Sequence, residues 1–247
     1  MKKIVTPLML AMSLAAAGSV FAQAAPAEPE STFAFNAGAV NEYRYRGISQ
    51  SRIDPALQGG ADYSDKSGAY VGVWASSIKW IKDAGGKSNA EVDYYGGYKF
   101  SVGEVAYDVG FLHYEYSGNA LKPSANTNEL YGAVTMGPTT LKYSQSTGNL
   151  FGFANSKGSS YVDLTANFDL GDGYSFAPHL GYQSVKGAGN SIYSYTDAAL
   201  TLGKDLGNGL AASAAVIGTN AKTGSYVSPA GKQLGKAGLV VGLKYTF

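Results

Sequence analysis

The chain has 247 residues, with 19 Lys and Arg against 18 Asp and Glu, 15% charged residues and no cysteine. That near-neutral balance gives no electrostatic reason for nucleic-acid binding, and the missing cysteines exclude disulfide stapling. Nineteen tyrosines and 33 glycines are the outliers; in a sheet they suit interfacial ring placement and close strand approach.

The chain opens with an export pattern. Lys2 and Lys3 precede an apolar run from Ile4 to about Ala17, and Val20-Phe21-Ala22 offers small-residue cleavage spacing before Gln23. Residues 1–22 therefore read as a signal peptide, whose loss leaves 17 basic against 18 acidic residues. Residues 23–30, rich in Ala, Pro and Glu, read as a short flexible periplasmic leader. No later stretch reaches the roughly 18 apolar residues of a spanning helix.

Residues 31–247 alternate with period two, and about twelve strands are predicted. Strand one places Phe33, Phe35, Ala37, Ala39, Tyr43 and Tyr45 on one apolar face. In strand three, Ala69 to Lys79, either face could be outward. Strand four turns Val92, Tyr94, Gly96, Tyr98 and Phe100 one way. Strand eight does the same with Val162, Leu164, Ala166, Phe168 and Leu170, and strand ten with Ala198, Leu200 and Leu202. The last strand sets Leu239, Val241, Leu243, Tyr245 and Phe247 against Val240, Gly242, Lys244 and Thr246. A terminal aromatic after such alternation is how outer-membrane barrels close, and Tyr245 and Phe247 are the candidate signal to the barrel-assembly machinery.

The connections sort by length. Short turns fall near 65–67, 101–103, 137–138, 171–173 and 207–209, and long polar segments near 47–55, 80–90, 117–127, 147–158, 185–193 and 219–235. Strict alternation of short and long predicts an all-β, membrane-spanning, antiparallel up-and-down barrel with both termini periplasmic. Unpaired backbone is costly in hydrocarbon, so strand twelve is expected to pair with strand one.

The inward phase predicts the pore lining. Near the extracellular end it places Glu42, Arg44 and Arg46 on strand one, then Glu91, Asp93, Glu129, Asp163, Asp197 and Lys236. Lower down it places Asp62, Lys99, Asp108, Lys142, Asp169 and Lys244. Six acids against three bases in the upper tier suggest either a mildly cation-attracting constriction or a paired network joining Arg44 and Arg46 to Glu42, Asp93 or Asp62. Twelve strands lie between a filled eight-stranded barrel and an open sixteen-stranded one, so the expected pore is narrow. A loop such as 219–235 could pinch it further.

Tyr43-Arg44-Tyr45-Arg46-Gly47-Ile48-Ser49, with Tyr43 and Tyr45 expected in the outer girdle and Gly47 releasing the strand, is the most distinctive stretch. It, Gly72-Val73-Trp74-Ala75-Ser76 and Glu91-Val92-Asp93-Tyr94-Tyr95-Gly96-Gly97-Tyr98 resemble the TorF-type porins of Gram-negative outer membranes over about residues 33–116. The resemblance implies an outer-membrane barrel that conducts small solutes.

Catalysis finds little support. His113 falls on the outward phase with Ser117 as its one local serine, and His179 falls inward without a nucleophile-elbow pattern around Ser144, Ser146, Ser175 or Ser184. The scattered acids suggest no metal cage, and the Gly-Asp-Gly and Gly-Asn-Gly runs mark hairpin turns, so no cofactor is expected. The expected partners are outer-membrane lipid and small polar solutes or ions; the oligomeric state is open. The rival reading is a non-conducting display barrel, resting on Phe151 and Phe153 as surface aromatics.

Overall fold

The structure, a computed structural model, describes residues 31–247. The signal-peptide and leader readings, residues 1–22 and 23–30, lie outside the described residues.

Alternating side chains build the wall. Its strands are β1 (Thr32–Val40), β2 (Ala56–Ser64), β3 (Ala69–Ser77), β4 (Ala90–Val102), β5 (Val105–Glu115) and β6 (Thr127–Met136). The ring continues with β7 (Thr139–Ser146), β8 (Ser160–Ala166 and Phe168–Gly171), β9 (Tyr174–Ser184), β10 (Tyr195–Gly207), β11 (Leu210–Thr219) and β12 (Gly238–Thr246). Every neighbour is antiparallel, and β1 pairs with both β2 and β12, so twelve strands close on themselves. At the seam, Phe35 and Phe247 exchange two backbone hydrogen bonds of 2.9 Å each. Closure removes the edge that hydrocarbon would penalise.

The outward face is apolar, with Phe33, Leu57, Val71, Leu130, Leu200 and Leu239 fully presented. For β3 the outward face is that of Val71, the open question of the sequence. The five tight turns share one end with both described termini. Aromatic contacts band that end: Phe35–Phe247 at 5.9 Å, Phe100–Tyr107 at 5.1 Å and Phe168–Phe176 at 6.5 Å. This is the girdle of a membrane barrel.

Many tyrosines lie elsewhere than the girdle. Tyr70, Tyr95 and Tyr131 face the lumen, each directly opposite a glycine: Gly97, Gly72 and Gly110. A methyl group at Gly72 or Gly110 would stand 2.3–2.5 Å from the facing ring. The rings lie flat across the strands because glycine leaves them room, the pairing known as aromatic rescue. This accounts for the joint excess of Tyr and Gly better than an interfacial role alone.

The sequence expects strand one to run through Tyr45. The wall strand ends instead at Val40, and the chain turns into the lumen. Asn41 makes that departure possible: its amide donates to Leu239 O (3.0 Å) and accepts from Val241 N (2.8 Å). Its side chain thus stands in for ladder partners that β12 would otherwise lose.

Candidate functional site

Residues 44–49 form a small hairpin inside the barrel, pairing Arg44 with Ser49 and Tyr45 with Ile48. Arg46 and Gly47 are its two turn residues, both at positive φ (47° and 77°). That is the primed turn that two-residue hairpins favour, so Gly47 turns this hairpin and does not release a wall strand. Gly47 has no room for a side chain, since an added Cβ would meet Thr219 and Asp197.

The hairpin crosses the lumen and touches most of the wall. Tyr43 donates to Glu91 on β4 (2.7 Å) and packs on Trp74 of β3 (5.4 Å between rings). Tyr45 meets the Tyr114 hydroxyl on β5. Arg44 pairs with Glu42 (2.7 Å) and donates to the carbonyls of Lys236 (2.7 Å) and Ile217 (3.3 Å). Arg46 pairs with Glu129 on β6 (2.7 Å), donates to Gln183 on β9 (2.7 Å) and lies over the Tyr161 ring at 4.3 Å. Tyr43, Arg44, Tyr45 and Arg46 are all buried.

Several expectations are thereby corrected. Tyr43 and Tyr45 do not belong to an outer girdle. Glu42, Arg44 and Arg46 reach the interior from a folded-in loop, not from the wall. Lys236 is exposed beyond the start of β12, and only its carbonyl meets the lumen group Arg44. Asp169 is exposed at a tight turn, accepting from Gly171 N. The Arg46 partner is Glu129, a pairing not foreseen. The loop that enters deepest is 41–55; residues 220–237 instead close over it, with Ser49 N donating to Leu234 O (3.0 Å).

The upper acids are packed, not exposed to a water-filled constriction. Glu91 accepts from Tyr43 and Tyr116 (2.8 Å), and Glu129 from Tyr114 (3.0 Å). Asp93 is fully buried with neither carboxylate oxygen hydrogen-bonded among the described residues. Burying an unpaired polar group costs a fold about 1–3 kcal/mol. Asp93→Leu, which leaves no polar atom unpaired there, is therefore expected to raise the unfolding free energy by about that amount. Denaturant titration of detergent-folded protein checks this, and a lowered midpoint would show that the charge has a stabilising partner.

Toward the turn end the lining is mixed. Tyr70 donates to Asp108 (2.6 Å), Tyr95 to Asp62, and the ammonium groups of Lys99 and Lys142 stand 4.7 and 3.9 Å from the Tyr70 and Tyr131 ring centres. Lys244, on the inner phase of β12, is part-buried. His179 Nε2 lies 2.8 Å from Asp197 and its Nδ1 3.5 Å from Asp163. Its other neighbours are Tyr161 and Thr165, not a serine. At His113 a carboxylate stands between hydroxyl and imidazole: Ser117 donates to Glu115 (3.2 Å), which meets the ring at 3.2 Å. That order does not let the imidazole take the serine proton directly.

At the long-loop end the hairpin floors a cavity of about 460 Å³. Its lining includes Trp80, Tyr116, Phe151, Phe153, Tyr193, Tyr226 and Arg46. Phe151 packs on Tyr45 (5.8 Å) and Tyr114 (5.1 Å), and Phe153 on Tyr193 (4.6 Å). They are part-buried among neighbouring loops rather than displayed. A helical turn, α1 (Trp80–Asp83), braces the wall of this vestibule. Arg52 donates to its Asp83 (2.9 Å), and Lys79 pairs with Asp54 (2.6 Å), whose carboxyl is held below its ordinary pKa by that ammonium.

The loops around the vestibule carry a charge bias that a reading of the inner wall alone misses. Residues 50–55, 78–89, 116–126, 147–159, 185–194 and 220–237 hold ten basic side chains and two acids, Asp54 and Asp83. Arg52 and Lys79 are the two in ion pairs. The other eight, Lys82, Lys87, Lys122, Lys157, Lys186, Lys222, Lys232 and Lys236, are all exposed. Counting charges per loop in the sequence would have found this rim.

A closed twelve-stranded barrel with an apolar exterior and a charged interior is the porin-like class of fold, and solved structures agree. The KdgM porin superposes with a TM-score of 0.56 at 10% identity, covering 88% of this chain and 99% of its own. The NanC porin gives 0.55 at 10% identity, with 87% and 99% covered. An outer membrane channel from Pseudomonas putida F1 gives 0.50 at 13% identity, with 91% and 99% covered. The chain belongs to the Gcw_chp family, bacterial proteins of unknown function, whose family model matches residues 23–247. No curated protein matches it.

Proposed function

We propose that this barrel is a narrow, passive channel of the Gram-negative outer membrane for small polar solutes or ions. The observation that carries the reading is a closed barrel, apolar outside, whose interior is hydrophilic and crossed by one inward hairpin. In this reading the residues 1–22 are removed on export and the turn end is periplasmic. The terminal strand with Tyr245 and Phe247 addresses the assembly machinery. Solutes move down their gradient, and no bond is made or broken.

Pore-lining roles go to Asp62, Lys99, Asp108, Lys142 and Lys244 in the half toward the turns, and to Asp163, expected nearer the extracellular end but in register with Lys142. Glu42, Arg44, Arg46, Glu91, Asp93, Glu129 and Asp197 form the packed tier around the hairpin. The TorF-type resemblance around the hairpin and strands β3 and β4 supports the same reading. So does the presence of KdgM among the fold's neighbours, that porin having been solved with oligogalacturonate. The display-barrel alternative loses its motive, because Phe151 and Phe153 are engaged by neighbouring loops.

Purified, refolded protein in planar bilayers is expected to show ohmic single-channel steps. Silence from protein with intact β-sheet circular dichroism would favour a scaffold instead.

A further inference from the structure

The vestibule and its rim differ in character, and together they describe a ligand. The cavity of about 460 Å³ lies within the roughly 300–1,000 Å³ of small-molecule sites. Ring faces dominate it: Phe153 meets Tyr193 at 4.6 Å, Tyr193 meets Tyr226 at 5.8 Å, and Trp80 meets Tyr116 at 5.1 Å. Such faces favour a flat ring with an apolar side. Arg46 lies at the floor, with two of its five N–H donors engaged by Gln183 and Glu129. The loops of this end carry eight exposed lysines that no ion pair engages among the described residues, and one of them, Lys122, lines the cavity itself. A rim of one sign concentrates counter-ions and steers them inward.

We propose that this vestibule is the admission site of the channel and that it binds ring-bearing carboxylates. The proposal rests on the channel reading and reverses the cation preference that the inner-wall acids suggest. Those acids are packed beneath the hairpin, whereas Lys122 and Arg46 line the cavity and the loops of this end carry an excess of lysine. An aromatic acid and a sugar acid share the required chemistry, a ring face with a carboxylate, and the probes separate them. A lipid surface is the competing use of the lysines; the ring-lined cavity inside them favours a small solute.

The test is equilibrium binding to detergent-folded wild-type protein by titration calorimetry, with benzoate, glucuronate, acetate and benzylamine as probes. Saturable binding of benzoate or glucuronate, with acetate and benzylamine at least about tenfold weaker, is the expected result. Whichever of the two binds identifies the source. Phe153→Leu and Tyr193→Leu keep apolar volume but remove ring faces, and each is expected to weaken binding about fivefold or more. Neither residue belongs to a wall strand, so sheet circular dichroism should stay unchanged. Lys122→Gln, at the one lysine on the cavity lining, is expected to weaken ring-acid binding further. No saturable binding from protein that still conducts would overturn the site and leave the channel standing. Overturning it equally would be a lysine variant that loses adsorption to anionic vesicles while binding the ring acid as before.

Discussion

Replacing residues 42–51 by a short Gly-Ser linker is expected to raise single-channel conductance about threefold or more, because a twelve-stranded lumen is intermediate between filled and open. The hairpin supplies Tyr43, Arg44, Tyr45 and Arg46 to the lumen and reaches from β3 to β11. With it gone, Glu91, Asp93 and Glu129 lose their tyrosine and arginine cover and meet water. The variant should therefore turn more cation-selective as well as more conductive. Glu91→Gln with Asp93→Asn should abolish that gain in the shortened protein and do little in the intact one. Asn41 stays in place, so the β12 ladder keeps its partners and the wall should still close. Unchanged conductance and reversal potential would mean that ions bypass the hairpin in the native protein.

Arg46→Ala is expected to cost about 3–5 kcal/mol of stability, the scale for stripping one partner from a buried ion pair. Glu129, 1% exposed in the intact protein, would keep Tyr114 as its hydrogen-bond donor but lose its counter-ion. The loss should fall mainly on the uncompensated carboxylate, so adding Glu129→Gln to Arg46→Ala should recover much of it. Guanidinium titration of detergent-folded protein, read by tryptophan fluorescence, ranks the three proteins. Equal destabilisation in the single and double variants would assign the cost to lost packing on Tyr161 and Tyr45 instead. Exposed pairs such as Lys79–Asp54 are not expected to behave this way, since water and salt already screen them.

The wall was legible because its determinants are local. Period two needs only neighbouring residues, and lipid outside a closed sheet demands that one phase be apolar, as in Val162, Leu164 and Phe168. Short and long connections then order the strands and close the ring. Asp62, Asp108 and Lys142 are part-buried on the phase opposite the apolar one, as alternation alone would set them, and their role in lining a pore belongs to the proposed function. What failed was the stretch after Val40. Tyr43 and Tyr45 continue the outward phase of Phe33 and Phe35, and a hairpin alternates as a wall strand does, so parity cannot separate the two. The one local cue was Arg46-Gly47, a turn pair usually written with Asn or Asp.

Loop charge was equally plain in the sequence, as eight lysines scattered over five segments, yet its meaning depends on those segments meeting around one mouth. By itself, then, the sequence determines a lipid-facing cylinder and its hydrophilic lining, since each residue's side follows from its neighbours. Tertiary structure alone decides that the first long loop bends inward. That choice is made by Asn41 replacing lost ladder bonds and by contacts with Glu91, Glu129 and Gln183, residues 48 to 137 positions apart in the chain.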